Sequence, residues 1–426
     1  MWNQSHHPRL AIAVSFFVFL FFASQLPRTG SAHEPITTKV MFNKDVIRIL
    51  ERNCLACHAP GKIKSDIPLT TYEEARPWAK AIKEEVLEKR MVPFQAVKGY
   101  GNFVHDYAMP QRDVELLISW IEGGAPRGDA KDYPKEEIEK LIGGAEWELG
   151  KPDLILQPEK ETSIAPEGDD ETRCFVLPAN LKEDRWINAI DFQPGAGTVV
   201  HGASLFVVRP SSRKGPAKRR DPNACPPNSE PIGHWAPGQS ANRLPSGAAI
   251  RLPANSSLVT QVRYRKNGQA GSDRSSVGLY FAKDPPGKLV RNLTINAPAT
   301  VIPANAESRR VKASYAINES TEVVAIRPLL FPFAKSIEVS ARRPDGSVEV
   351  LIWAKDYRFD WQPAYFFKKP VALPAGARIE VTAYLDNSGN SRNNPNNQPA
   401  ETRFAGALCE LSLTSAATLK QAQLRR

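Results

Sequence analysis

The period of the hydrophobic pattern changes along the chain near residue 158. Before this point, three segments carry apolar residues at helical spacing: Val46, Ile49 and Leu50; Trp78, Ala81, Ile82 and Val86; and Val114, Leu117, Ile118 and Ile121. Beyond it, apolar and polar residues alternate in short runs separated by turn residues, as on both sides of Pro344-Asp345-Gly346. The pattern therefore predicts a small helical region followed by a larger all-β region.

The N-terminal segment reads as an export signal. Arg9 precedes an apolar run from Leu10 to Ala23, and the small residues Gly30-Ser31-Ala32 follow at a cleavage position. We expect a signal peptide at residues 1–32 and a periplasmic or secreted mature chain that starts at His33. The apolar run is short for a membrane span and no later segment could span one, so an uncleaved anchor is the less favoured alternative.

Composition adds an expectation about partners. The chain has 426 residues, a hydrophobic content of 42%, and a net charge of +10. Basic residues crowd the stretch 209–220, which is either a solvated loop or a docking patch for an acidic redox partner protein. We expect no nucleic acid partner, because the chain contains no recognisable binding module for one. The sequence leaves the oligomeric state open.

One motif carries chemistry in the helical region. Cys54-Leu55-Ala56-Cys57-His58 has the spacing that attaches a c-type haem, because two thiols three positions apart reach the two vinyl groups of one porphyrin. His58 would then be the proximal iron ligand. A thioredoxin-like redox pair or half a zinc site is the alternative. The first requires a βαβ context and the second requires another ligand pair, and the sequence offers neither.

Residues 38–130 resemble the class I-type cytochrome c domains at the front of larger exported bacterial proteins. The resemblance rests on the Cys-x-x-Cys-His motif and the three predicted helices. It implies a distal methionine ligand to the haem iron. Met91 is favoured, since Met91-Val92-Pro93-Phe94 follows the second helix and resembles the ligand segment of these domains, and Met109 remains the alternative.

Residues 172–413 resemble the copper type II, ascorbate-dependent monooxygenases, the family of peptidylglycine alpha-hydroxylating monooxygenase. The segments that carry this resemblance are Arg173 to Pro178, Val199-Val200-His201, Trp235 to Gly238, Gln261 to Tyr264, and Tyr357 to Gln362. The resemblance implies two jelly-roll-like β-sandwiches side by side, each with one copper ion facing a shared cleft.

Most of the copper ligands that the resemblance implies are missing. His201 alone stands at a ligand position of the first copper, and Arg263 occupies another, where a guanidinium cannot bind a metal. At the second copper the ligand positions hold Leu329, Phe331 and Leu408. His201 is therefore interpreted as part of a vestigial copper site, bound copper is not expected, and no catalytic residue is assigned.

Three cysteines remain outside the motif. These are Cys174, Cys225 and Cys409, and their odd number leaves at least one thiol without an intramolecular disulfide partner. Cys174 and Cys225 are the favoured pair because they are expected to share a domain, but the sequence leaves the pairing open.

Together these observations predict a multidomain chain: an all-α class I-type cytochrome c domain followed by two all-β jelly-roll-like sandwiches. The predicted segments are a signal peptide at 1–32, a cytochrome c domain at 33–130, a linker at 131–157, sandwiches at 158–297 and 298–415, and a basic tail at 416–426. We expect one covalent haem c and single-electron transfer, with the sandwiches as a catalytically degenerate module for docking or scaffolding. The alternative is a copper-dependent monooxygenase that receives electrons from its own haem domain.

Overall fold

The computed structural model describes residues 37–92, 96–105, 107–143, 147–209, 225–226, 229–329, 333–355, 361–391, 394 and 399–416. The predicted signal peptide, most of the basic stretch 209–220, Phe331 and most of the basic tail lie outside these residues. Within the described residues, no helix has both the length and the apolar character needed to cross a membrane.

The helices lie in the first third of the chain. The α-helices α1 to α5 comprise Ile47–Asn53, Tyr72–Ala75, Ala79–Leu87, Gln111–Glu122 and Lys135–Gly143, with single turns of other helix types at Phe42–Val46, Arg76–Trp78 and Ala130–Asp132. Thr71 and Glu74 form a capping box at the start of α2. Helix α4 begins after Pro110 and ends at Gly123, as its apolar pattern predicts.

These helices enclose a small core of their own. Phe42, Leu50, Leu55, Leu117 and Trp120 are fully buried there. The indole of Trp120 donates a hydrogen bond of 3.0 Å to a backbone carbonyl, so its one polar atom is satisfied inside the core. The segment that precedes Cys54 is therefore held from both sides by apolar packing.

The rest of the described chain is built from strands. In chain order, β1 to β21 comprise Leu154–Leu156, Thr162–Ile164, Glu171–Pro178, Arg185–Gln193, Val200–Val208, Glu230–Trp235, Asn242–Arg243, Ala248–Leu252, Ser257–Tyr264, Gly271–Asp273, Ser276–Phe281, Lys288–Asn296, Thr300–Ile302, Arg309–Ala316, Thr321–Pro328, Ala334–Arg342, Val348–Lys355, Tyr365–Leu373, Arg378–Leu385, Thr402–Phe404 and Ala407–Ala416.

One large sheet runs through both halves of the β region. It has nine strands, in the order β1-β11-β4-β8-β12-β21-β15-β18, with β7 paired to β4. A four-stranded sheet, β3-β9-β5-β6, shares a hydrophobic core with its first half, and we call this unit the first sandwich. Another, β14-β19-β16-β17, shares a core with its second half, and this unit is the second sandwich. The halves join where β8 and β12 pair in parallel, at Lys288↔Ala248 and Leu289↔Ala249.

The predicted fold class is wrong. Most of the regular structure in the described chain is β-sheet, its longest helix has 12 residues, and no all-α cytochrome domain is seen. The physical reason lies between α3 and α4, where Ala96 and Phe103 form bridges to Ala354 and Phe367 of the second sandwich. Helical periodicity identifies single helices, but it does not show that the chain between them joins a sheet instead of closing a helical domain.

The cysteines of the β region pair as favoured. Cys174 and Cys225 form a disulfide, with their Cα atoms 5.2 Å apart. Cys409 is a buried free thiol on β21. Burial raises the pKa of this thiol, so it behaves as a small apolar side chain.

Candidate functional site

The Cys-x-x-Cys-His motif forms a tight turn at the end of α1. The backbone N–H groups of Cys57 and His58 both donate to the carbonyl oxygen of Cys54, at 3.0 and 2.9 Å. Leu55, between the cysteines, is fully buried in the helical core and fixes the turn against α1. Because residues three apart in such a turn share a face, the two thiols are presented together.

Both thiols of the motif are free and protonated. Burial, followed by the neighbouring Cys57, raises the pKa of Cys54 to about 12. Burial also raises the pKa of Cys57 to about 11, although Lys64 and Lys62 oppose the rise. A thioredoxin-like pair requires a thiol whose pKa is lowered, so these values argue against disulfide exchange.

His58 is held in one tautomer. Its Nδ1 lies 2.9 Å from the carbonyl oxygen of Ile67, and a carbonyl can only accept, so Nδ1 carries the proton. The other ring nitrogen, Nε2, then has a lone pair available for a metal. Burial lowers the pKa of His58, which favours the neutral ring that ligation requires. The loop that supplies the carbonyl is closed by a hydrogen bond of 3.0 Å from Leu69 N–H to His58 O.

The two candidate distal ligands lie in different surroundings. Met109 packs, partly buried, against the same helical core as Cys54. Met91 follows α3, and its N–H donates to Glu85 O at 3.1 Å. Met91 is not among the described residues that pack against the helical core. The geometry therefore keeps both methionines as candidates for the predicted distal position.

The local donor set of the motif fits covalent haem. Two free thiols at the required spacing and an imidazole with an available Nε2 are the groups that thioether attachment and axial ligation use. A metal ion without a porphyrin would need at least three protein ligands. Within the described residues, no group of three or more His, Cys, Asp and Glu side chains could hold such an ion.

The predicted vestigial copper ligand, His201, lies on β5 of the first sandwich, between strands β9 and β6. Arg263 is on β9, and a second histidine, His234, is on β6. The guanidinium of Arg263 donates to the carbonyl oxygen of His201 at 3.3 Å, and His234 Nδ1 lies 3.3 Å from Ser204 Oγ. Burial, then Arg327 and Arg263, lowers the pKa of His234 well below its usual value. Two guanidinium charges beside this imidazole oppose a metal cation.

A cavity between the halves, with an ion pair in its lining, could not be predicted from the sequence. Arg327 on β15 donates two hydrogen bonds, of 3.0 and 2.7 Å, to one carboxylate oxygen of Glu410 on β21. Both side chains and His234 line a cavity of about 90 Å³. Arg327 and Glu410 are 83 positions apart, so no local sequence pattern indicates that they form an ion pair. Leu408, at the predicted second copper position, is fully buried on β21 itself.

Comparison with known proteins adds little. No protein-family model and no curated protein matches the chain. Among solved structures, the infectious bursal disease virus Gx strain is 8% identical with a TM-score of 0.19, covering 62% of this chain and 72% of that chain. Bacillus subtilis oxalate decarboxylase is 6% identical with a TM-score of 0.15, over 67% and 85%. Matches with such low TM-scores carry no argument about fold or function.

These findings correct both family resemblances. No all-α cytochrome domain is present in the described residues, and no group of three or more His, Cys, Asp and Glu side chains there could hold a metal ion. Neither the fold nor the comparisons support classifying the chain as a cytochrome, as a haem-iron protein or as a relative of the copper monooxygenases. Short matching segments spread over a long chain share residue types without sharing a fold.

Proposed function

We propose that the chain binds one haem covalently through Cys54 and Cys57, with His58 as an axial ligand of the iron, and carries single electrons in the periplasm or outside the cell. One observation carries the proposal. The hydrogen bond from His58 Nδ1 to the carbonyl oxygen of Ile67 directs Nε2 to a ligand's role. The proposal rests on this local chemistry and not on membership of any family.

The residues of the motif suit the attachment reaction. Each protonated thiol adds across one vinyl group, so that a carbon–sulfur bond forms and the thiol hydrogen passes to the other vinyl carbon. No external oxidant or reductant is consumed. Bound in this way, the group would supply an iron centre that exchanges one electron at a time. Leu55 and the surrounding helical core would keep water from one side of it.

The distal ligand and the partner belong to the same proposal. Met91 is the proposed distal ligand, with Met109 as the alternative. The β region, whose described residues lack a metal-holding group, would dock a redox partner or act as a scaffold. The basic stretch 209–220 would attract an acidic partner and raise its rate of association.

A haem-content measurement tests the proposal. The full chain is exported from cells that possess the attachment apparatus, and haem is quantified by pyridine haemochrome after extraction with acid acetone. We expect one haem per wild-type chain and none in a Cys54→Ala/Cys57→Ala variant. Cys409→Ala is the matched control, because Cys409 is a buried thiol on β21, outside the motif, and it should retain one haem. A wild-type chain that retains no haem contradicts the proposal.

A further inference from the structure

A turn of the first sandwich lies directly against the Cys-x-x-Cys-His motif. Residues 236–239 follow β6 and turn back through a hydrogen bond of 2.9 Å from Gln239 N–H to Ala236 O. A Cβ placed on Gly238 would lie 3.5 Å from Cβ of Ala56 and 3.7 Å from Sγ of Cys57. Gly238 has φ +76°, a conformation that favours glycine. The backbone of the turn therefore forms a wall beside Cys57.

The second sandwich clamps this turn in place. The indole N–H of Trp361 donates to the carbonyl oxygen of Pro237 at 3.0 Å. The side-chain amide of Gln239 accepts from Ala364 N–H and donates to the carbonyl oxygen of His234, both at 3.0 Å. Trp361 and Gln239 are each 7% exposed. The bond from Trp361 is buried and the bond from Ala364 is partly buried, so their loss would leave polar groups poorly satisfied and would loosen the turn.

Trp361 also packs against the segment that leads to α4. Tyr107 meets the Trp361 ring edge to face, with ring centres 5.2 Å apart. On its other side the turn lines the cavity between the halves, through Gln239 and the adjacent His234. The turn thus lies between the motif and this cavity.

We infer that Trp361 is a positioning residue for the motif: it holds residues 236–239 against Cys57, closes that edge to water and so raises the midpoint potential of the attached haem. This inference rests on the proposed function. A drier surrounding disfavours the more highly charged oxidised iron, so excluding water raises the potential. None of the residues in the clamp is a ligand, and their role is exerted through the backbone of the turn.

The first measurement needs no haem. The full chain is exported from cells that lack the attachment apparatus, and alkylation of Cys57 by a maleimide is followed by peptide mass spectrometry. Trp361→Phe keeps an aromatic ring but removes the N–H donor, and we expect alkylation to be about tenfold faster, a change equivalent to about 1.4 kcal/mol. Trp353→Phe is the matched control, since Trp353 packs on Tyr100 in the same sandwich. It should leave the rate unchanged.

The second measurement uses the haem-loaded chain. The midpoint potential should fall in Trp361→Phe and stay at the wild-type value in Trp353→Phe. Gln239→Leu removes the hydrogen bond from Ala364 N–H to the turn. It should also speed alkylation of Cys57 and lower the midpoint potential, which keeps the inference testable if the tryptophan variant does not fold. Equal alkylation rates in the two tryptophan variants, or an unchanged potential in Trp361→Phe, overturn the inference. A wild-type chain that binds no haem refutes the proposed function instead, and the alkylation rates still decide whether Trp361 positions the turn.

Discussion

Two partly buried histidines of this chain, His58 at the end of α1 and His234 on β6, stand in opposite chemical situations. His58 donates through Nδ1 to a backbone carbonyl, whereas His234 Nδ1 lies beside the hydroxyl of Ser204. Burial lowers the pKa of both rings. The difference lies in the surrounding charges. Asp66 partly offsets Lys64 at His58, but Arg327 and Arg263 both act against a positive charge at His234.

This comparison teaches that a partly buried imidazole alone does not indicate a metal site. What matters is which ring nitrogen remains available and whether the neighbouring charges tolerate a cation. His58 meets both conditions. His234 fails the second, because each guanidinium remains charged at any physiological pH.

The largest expected effect separates the two histidines by haem content. His58→Ala should lower the fraction of chains that carry haem by at least about tenfold, since even partners behind a ligand cost 10- to 100-fold in affinity when removed. His234→Ala should leave haem content unchanged. Pyridine haemochrome assays on the two exported proteins measure the difference. Equal losses in both would mean that the histidines do not differ in the way their surroundings indicate.

An intermediate effect concerns the ligand opposite His58. Met91→Ala should remove the weak sulfur-to-iron absorbance near the red edge of the oxidised spectrum and lower the midpoint potential, because a thioether favours reduced iron. Met109→Ala should alter only packing in the helical core. Absorbance spectra and redox titration of both variants decide the question. The opposite result would assign the distal position to Met109, which packs against the same core as Cys54.

The smallest expected effect lies in the pH dependence of stability near His234. The folded pKa of this ring is lowered, so its contribution is present above the usual pKa near 6.5 and is lost as pH falls. The slope is at most about 1.4 kcal/mol per pH unit for one proton. Arg263→Met should raise the folded pKa and reduce the loss of stability between pH 7 and pH 5. Urea unfolding at the two pH values measures this loss.

Arg265→Met is the control for that measurement. Arg265 follows the same strand but pairs with Asp170 at the surface. It should reproduce the wild-type dependence. If the arginine variants behave alike, Arg263 does not set the pKa of His234.

Local features of this molecule could be predicted from sequence, but long-range ones could not. The bounds of α4 follow from Pro110, Gly123 and the apolar spacing between them, and the Cys54 to His58 turn follows from its own motif. The Arg327–Glu410 pair and the contact of Trp361 with Pro237 join residues more than eighty positions apart. Such contacts depend on how strands are ordered in the sheet, and periodicity carries no information about that order.

The order of strands in the large sheet also governs when the β region can be completed. Strand β21, the last described strand of the chain, lies between β12 and β15 and pairs with both. A chain that emerges from its N-terminus therefore leaves one edge of β12 and one edge of β15 unpaired until β21 has also emerged. Open edges invite pairing with other chains. We therefore expect the risk of misassembly to grow with the interval between the emergence of β15 and that of β21, about ninety residues later along the chain.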